Sequence, residues 1–255
     1  MNALNDKVVA VTGGAGGIAA GIAQAILDSG GRVGLIDLDR DKVEAAAAAL
    51  GAGDKVAAFV ADVTDPAGID AAMKALRDRF GGLHGLVNNA GIVRLGPADE
   101  TTPEGFDLEL AVNVKGVLLT AQAAARHFSD GGAIVNIASN AGKVGYRNMA
   151  GYNASKAAVI SLTRSLSLEW AEKGINVNAV CPGGVATDML KSVADFLAPR
   201  LEQDRDALFG TMVPAQLGRH IQPIEVGRVV AFLLSDAATI IRGQSISIDG
   251  GDTPF

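Results

Sequence analysis

The sequence predicts a single α/β domain spanning residues 1–255, a Rossmann-type doubly wound sheet of about seven parallel strands with helices on both faces. Three observations carry that expectation. Short β-branched apolar runs alternate with longer Ala- and Leu-rich segments, the pattern of repeated βαβ units on a parallel sheet. The first such run leads directly into a glycine-rich turn. No Pro- or Ser-rich linker, charge block or internal repeat divides the chain, whose length commonly folds as one α/β unit.

Strands are expected at Val8–Val11, Val33–Ile36, Val56–Val60, Leu86–Asn88, Ala133–Ile137, Ile175–Val180 and Ser245–Ile248. Helical stretches lie between them, at Ile18–Asp28, Arg40–Leu50, Ile69–Phe80, Phe106–His127, Gly151–Glu172 and Glu225–Leu234. Asp65 before Pro66 and Thr102 before Pro103 read as N-caps followed by a proline at the first helical position. The uncharged stretch Val8–Leu27 is weighed as an exported or membrane segment, but its five glycines fit a strand, a tight turn and a helix better than a spanning helix. One region breaks the rhythm. Gly183–Pro223 follows a strand's C-terminal end, where ligands bind in open α/β sheets, so residues 184–222 are expected to form a substrate-binding loop or lid; a plain surface insertion is the alternative.

Composition narrows the partners. The net charge of −6, from 22 basic and 28 acidic residues, gives no electrostatic reason to bind nucleic acid or an anionic membrane. The only cysteine, Cys181, excludes an intrachain disulfide and suits a reducing compartment, so the protein is expected to be cytoplasmic. His84, His127 and His220 share no ligand spacing, and no metal site is expected.

After the first strand comes Thr12-Gly13-Gly14-Ala15-Gly16-Gly17-Ile18-Ala19, entering a helix. Glycines there let the backbone approach a pyrophosphate, which the first helical amides hold. Asp37 stands 20 residues past Gly17, at the end of the second strand, where a carboxylate accepts hydrogen bonds from ribose hydroxyls. Asp37 could instead be an exposed turn residue. Neither the turn nor Leu38 supplies a cation for a 2′-phosphate, so NAD is favoured over NADP. Asp62, in Asp62-Val63-Thr64-Asp65, either reaches the adenine edge or caps a turn, with little in the residues to decide.

Tyr152 and Lys156 are four residues apart at the start of a helix and therefore share a face. A cation about 4 Å from the phenol, at an effective dielectric near 20, contributes ~4 kcal/mol, or roughly 3 pKa units, enough to bring a tyrosine of pKa about 10 near 7. Such a pair also arises by chance on many helices. Ser139 strengthens the case: it follows the fifth strand at its C-terminal end, where its hydroxyl can steady a substrate oxygen. Around the pocket, Arg94, Asn140, Arg147, Asn148 and Met149 mix polar and apolar groups and lean toward a polyol or sugar alcohol as the small-molecule substrate. A 3-oxoacyl thioester reductase is the alternative enzyme, and a nucleotide-binding regulatory protein without turnover is the alternative class.

These motifs resemble, over essentially the whole chain, the short-chain dehydrogenase/reductase family. Its glycine motif is matched at Thr12, Gly13 and Gly17, with Ala19 where the third glycine usually sits. The resemblance assigns Asn89 and Gly91, in Asn88–Gly91, to the nicotinamide-ribose side of the cofactor, and Val185 and Thr187, after Pro182-Gly183, to its carboxamide. Asn113, in Ala111-Val112-Asn113-Val114, matches an asparagine that interrupts its helix and holds a proton-relaying water. Ser139, Tyr152 and Lys156 match the catalytic serine and the Tyr-x-x-x-Lys pair. The cofactor wall is accordingly expected from Gly13, Gly17, Ile18, Asp37, Leu38, Asp62, Val63, Asn89, Gly91, Val185 and Thr187, together with Tyr152 and Lys156. Asp249-Gly250-Gly251 matches a motif near a subunit interface and implies a homotetramer.

Overall fold

A computed structural model describes residues 3–253. The expected strands form as β1 (Val8–Thr12), β2 (Arg32–Asp37), β3 (Val56–Val60), β4 (Gly85–Asn88), β5 (Gly132–Ile137), β6 (Ile175–Pro182) and β7 (Ser245–Ile248). They make one all-parallel sheet in the order β3-β2-β1-β4-β5-β6-β7. The strand order reverses between β1 and β4, and the crevice beyond their C-terminal ends is where such sheets bind ligands.

The helices are α1 (Gly17–Asp28), α2 (Arg40–Ala49), α3 (Pro66–Phe80), α4 (Pro103–Leu110), α5 (Gly116–His127), α6 (Ala150–Glu169), α7 (Asp188–Leu197), α8 (Arg205–Thr211) and α9 (Pro223–Leu234). Alternation along the strands sends their side chains into two cores. Val9 and Val11 pack with Ile22 and Ile26 of α1 and Val226 and Val230 of α9. Val8 and Ala10 face Met73 and Leu76 of α3 and Ala121 and Ala124 of α5. The apolar stretch Val8–Leu27 is thus divided between β1 and α1. Among the described residues no helix is long and apolar enough to cross a membrane.

Asp65 and Thr102 cap α3 and α4 as expected, accepting from Ala67 N at 3.0 Å and Gly105 N at 3.1 Å. The helix expected at Phe106–His127 is instead broken: a π-helical segment, Ala111–Lys115, separates α4 from α5 and holds buried Asn113. Gly183–Pro223 is also more regular than a loop, since it folds α7 and α8 beside the crevice.

Ala19, at the third-glycine position, is fully buried in the core that α1 shares with β1 and α9. The tightest approach of that helix falls two residues later. A Cβ on Gly21 would stand 2.1 Å from the carbonyl carbon of Pro223, and one on Gly227 would stand 2.2 Å from the Gly21 oxygen. Gly21→Ala is therefore expected to push α1 from α9 and to destabilise the protein by about 2–3 kcal/mol. Thermal denaturation should show this as a fall in Tm of roughly 5–10 °C, while Gly210→Ala, where an added Cβ on α8 meets nothing within 4 Å, does not lower Tm.

Candidate active site

The C-terminal ends of β1, β2, β4, β5 and β6 open on a cavity of about 640 Å³. Its nucleotide end is built by the turn after β1. Gly13 adopts φ +62°, and a Cβ there would come within 2.7 Å of Ala90 Cα. Thr12 organises the adjoining loop: its hydroxyl oxygen accepts from Asn89 N at 3.1 Å and Ala90 N at 3.2 Å. Asn89 returns the contact, donating from Nδ2 to the carbonyls of Thr12 and Gly13 at 3.1 and 3.0 Å.

The Asp37 carboxylate spans the end of β2, accepting from Ala15 N at 3.0 Å on one oxygen and from Leu38 N at 2.8 Å on the other. It ties the glycine turn to the second strand and lines the cavity. At the mouth of the turn, α1 begins without a side-chain cap or an acidic residue in its first turn, leaving its opening amides for an anion. A glycine cradle that a Cβ would fill, open helical amides and a carboxylate at the ribose position fit a dinucleotide.

Gly13, Gly17, Ile18, Asp37, Asn89, Gly91, Val185 and Thr187 all line this cavity with Tyr152 and Lys156. Leu38, Asp62 and Val63 are not among its lining residues. Leu38 is 67% exposed. Asp62 makes the capping turn, its Oδ1 accepting from Thr64 N and Thr64 Oγ1, both at 2.8 Å. Val63 packs toward Gly116 at the start of α5.

At the chemical end, the Ser139 hydroxyl accepts from Ala141 N at 3.1 Å and is hydrogen-bonded to the Tyr152 phenol. Lys156 is buried and donates from Nζ to the Ile137 carbonyl at 2.8 Å, two residues before Ser139. Its ammonium lies 5.5 Å from the centre of the Tyr152 ring. The expectation of a phenol near 7 does not hold for this arrangement. Burial pushes Tyr152 up to about 12 against the lowering effect of Ser139, with the Glu109 charge adding to the rise. Burial also pushes Lys156 down to about 8. The physical reason is that Lys156 is held by a main-chain carbonyl, and dehydration disfavours both charges in the closed crevice.

Asn113 takes another part. Its Oδ1 accepts from Ile92 N at 2.8 Å, and its Nδ2 donates to the Ile92 carbonyl at 2.9 Å and Ser155 Oγ at 3.0 Å. The side chain clamps the loop after β4 to the helix of Tyr152. Gly91 leaves room for that clamp, since a Cβ there would stand 3.3 Å from Asn113 Oδ1 and 3.5 Å from Lys156 Nζ.

Of the expected pocket residues, Asn140 and Met149 line the cavity, whereas Arg94, Arg147 and Asn148 do not. The turn before α6 folds back on the loop after β4 through a Gly96 N to Asn148 carbonyl bond of 3.0 Å, with Asn148 at φ +62°. Tyr146 and Asp252 enter the lining instead, and both were missed in the sequence. Asn140 Nδ2 donates to the Tyr146 oxygen at 2.8 Å, and Asp252 Oδ1 accepts from Ala215 N at 3.2 Å. A third residue legible only in three dimensions is Glu109, which is buried and whose charge bears on Tyr152. The histidines lie elsewhere: His84 Nδ1 accepts from Val8 N at 3.0 Å, His127 contacts Asp70, and His220 stacks on Phe209.

Comparison with known proteins agrees with this geometry. The family described as enoyl-(acyl carrier protein) reductase matches residues 13–253. The chain is 40% identical over 254 residues to D-threitol dehydrogenase of Mycolicibacterium smegmatis, covering 98% of this chain and 94% of that protein. It is 39% identical over 257 residues to 2-(S)-hydroxypropyl-CoM dehydrogenase 3 of Xanthobacter autotrophicus, covering 99% and 98% respectively. Among solved structures, an actinorhodin polyketide ketoreductase variant with NADPH superposes with a TM-score of 0.91 at 33% identity, covering 98% of each chain. Fold, motif order and relatives over nearly the full length all converge: the chain belongs to the short-chain dehydrogenase/reductase family of nicotinamide-dependent oxidoreductases.

Proposed function

We propose that the protein is an NAD-dependent dehydrogenase of uncharged secondary alcohols, with a short polyol or sugar alcohol as its substrate. The observation that carries this reading is the composition of the cavity wall. Ser139, Asn140, Tyr146 and Tyr152 offer hydroxyl and amide partners, Asp252 adds a carboxylate, and Lys156 is the only basic residue lining the cavity among the described residues. Hydroxyls find acceptors and donors there, whereas a sulfonate, phosphate or carboxylate finds no free cation. The name of the D-threitol dehydrogenase relative supports the same substrate class.

When bound, the nicotinamide ring supplies the hydride acceptor. Ser139 steadies the substrate oxygen, and Tyr152 removes its proton during oxidation or returns it during reduction. The elevated phenol means that the proton leaves only when positive charge gathers nearby. Lys156 contributes that charge and, from its seat on Ile137, reaches toward the ribose. The Asn113 side chain is committed to Ile92 and Ser155, which leaves the main chain of the π-turn for the water relay that the family resemblance implies.

NAD over NADP is supported by Asp37, which would face a 2′-phosphate with no lysine or arginine on the same stretch of wall. Residues 184–222 act as a lid in this reading, because Met189, Leu190 and Val193 of α7, with Met212 and Val213, roof the cavity. That apolar roof and the matched family description also favour a second reading, a 3-oxoacyl thioester reductase. The second reading requires a cation for the carrier's phosphate, and the wall offers only Lys156. We read the protein as a cytoplasmic homotetramer, supported by its one cysteine and by exposed apolar side chains such as Leu168 and Ile240, which are 81% and 93% accessible.

Three outcomes are expected. Tyr152→Phe should lower kcat by about 10²–10⁴-fold while calorimetric NAD affinity stays within a few-fold; turnover within tenfold of the parent removes Tyr152 as the base. Asp37→Ser combined with Leu38→Arg should reverse the coenzyme preference, read as the ratio of kcat/KM with NAD and NADP. In assays of NADH formation, a tetritol should exceed a matched secondary alcohol bearing a terminal sulfonate by at least about tenfold in kcat/KM, corresponding to ~1.4 kcal/mol. Preference for an acetoacetyl thioester with NADPH would instead establish the second reading.

A further inference from the structure

Glu109 has no part in the chemistry described so far, yet it is 2% exposed and lies at the junction of three elements that form the site. It projects from α4, and among the described residues no cation lies within ion-pair distance of it. Its Oε1 accepts from Arg94 N, in the loop after β4, at 2.9 Å. Its Oε2 occupies the space beside Gly151 in the first turn of α6: a Cβ on Gly151 would stand 2.1 Å from that oxygen and 3.2 Å from Phe106 Cδ2. Only glycine leaves room there for the carboxyl, and the next residue is Tyr152.

The helix itself explains why a carboxyl stands at this point. The residue before α6, Met149, makes no side-chain cap, and the first turn of α6 contains no acidic residue. A helix N-terminus favours a nearby negative group through its open amides and dipole. In this fold that group comes from α4, with Glu109 Oε2 filling the space beside Gly151 in the first turn. The same carboxyl is the charged group besides Lys156 that bears on Tyr152 from outside its own backbone neighbourhood. Ser139 acts by hydrogen bonding and Lys156 from the following turn, while Glu109 acts from α4 through its charge. Around Glu109 itself, the Arg94 guanidinium is the opposing charge and burial the dominant influence.

We propose that Glu109 is a positioning residue for Tyr152: its carboxyl locks the loop after β4 to the first turn of the tyrosine helix, and its charge opposes formation of the phenolate. Two negative charges that bear on each other in a buried site are disfavoured. A proton on Glu109 eases ionisation of Tyr152, and ionised Glu109 holds the proton on the phenol. This rests on the reading of Tyr152 as the acid–base residue.

The test separates charge from packing. Glu109→Gln keeps an oxygen for Arg94 N and removes the charge; Glu109→Leu removes both. In Glu109→Gln the acidic limb of kcat/KM for alcohol oxidation should move to lower pH by on the order of one unit, with Tm near that of the parent. Glu109→Leu should show the same displacement together with a several-fold loss of kcat. The chain has two tyrosines, so a Tyr146→Phe background leaves Tyr152 as the sole source of tyrosinate absorbance in the cofactor-free protein. Adding Glu109→Gln should lower the pH at which that absorbance appears. An unmoved pH limb and an unmoved tyrosinate titration in folded Glu109→Gln protein overturn the proposal. The tyrosinate titration reads the coupling without turnover, so it stands apart from Tyr152→Phe, whose retained activity would remove the assignment of the base instead.

Discussion

The site stands on a short ladder of buried polar groups beneath it. Asn88 at the end of β4 donates from Nδ2 to Asn136 Oδ1 in β5 at 2.9 Å, and Asn136 Nδ2 donates to Thr163 Oγ1 of α6 at 2.9 Å. Thr120 of α5 donates its hydroxyl to Asn88 Oδ1, and Thr163 donates to the Val159 carbonyl at 2.8 Å. All four residues are buried to within 2%. Leaving any one partner unsatisfied costs about 1–3 kcal/mol, so the ladder holds two strands and two helices in one register. Lys156 docks on Ile137, the neighbour of Asn136, and Ser139 follows two residues later. Tyr152, Lys156 and Ser139 therefore share a foundation whose geometry is set by hydrogen bonds with no slack.

Above that foundation, burial dominates the electrostatics. It raises the tyrosine and lowers the lysine, favouring the neutral form of each. A crevice built this way disfavours the phenolate, and in the function proposed Lys156 and the oxidised cofactor supply the positive charge that offsets it. Elsewhere in the site, Asp252 and Asp249 both disfavour a negative charge at Tyr146.

Much of this was legible in the sequence, for particular reasons. Repeated apolar runs mark buried parallel strands because both faces of such a sheet are covered, and the strand positions were read within a few residues. Gly13, Gly17 and Asp37 stand out because a nucleotide's phosphates and ribose demand backbone access and an acceptor at fixed separation. Tyr152 and Lys156 are visible because four residues close one helical turn. Asp62 was ambiguous, since an acidic residue after a strand serves a turn as readily as a ligand, and its Oδ1 accepts from the amide and hydroxyl of Thr64. The break at Asn113 was suggested only by resemblance, because the residues around it carry an unbroken helical pattern.

The sequence by itself determined the order and type of the elements, the glycine cradle and the spacing of the reacting residues, all of which depend on local conformation and short chain separations. Tertiary structure decided what depends on elements distant in the chain. It replaced Arg94, Arg147 and Asn148 with Tyr146 and Asp252 in the cavity, because the turn before α6 folds back on the loop after β4. It set Lys156 on a carbonyl and placed Glu109 against Gly151, across 42 residues of chain. The proton affinity of Tyr152 follows from those contacts and from dehydration, and neither is written in the four-residue spacing that first drew attention to it.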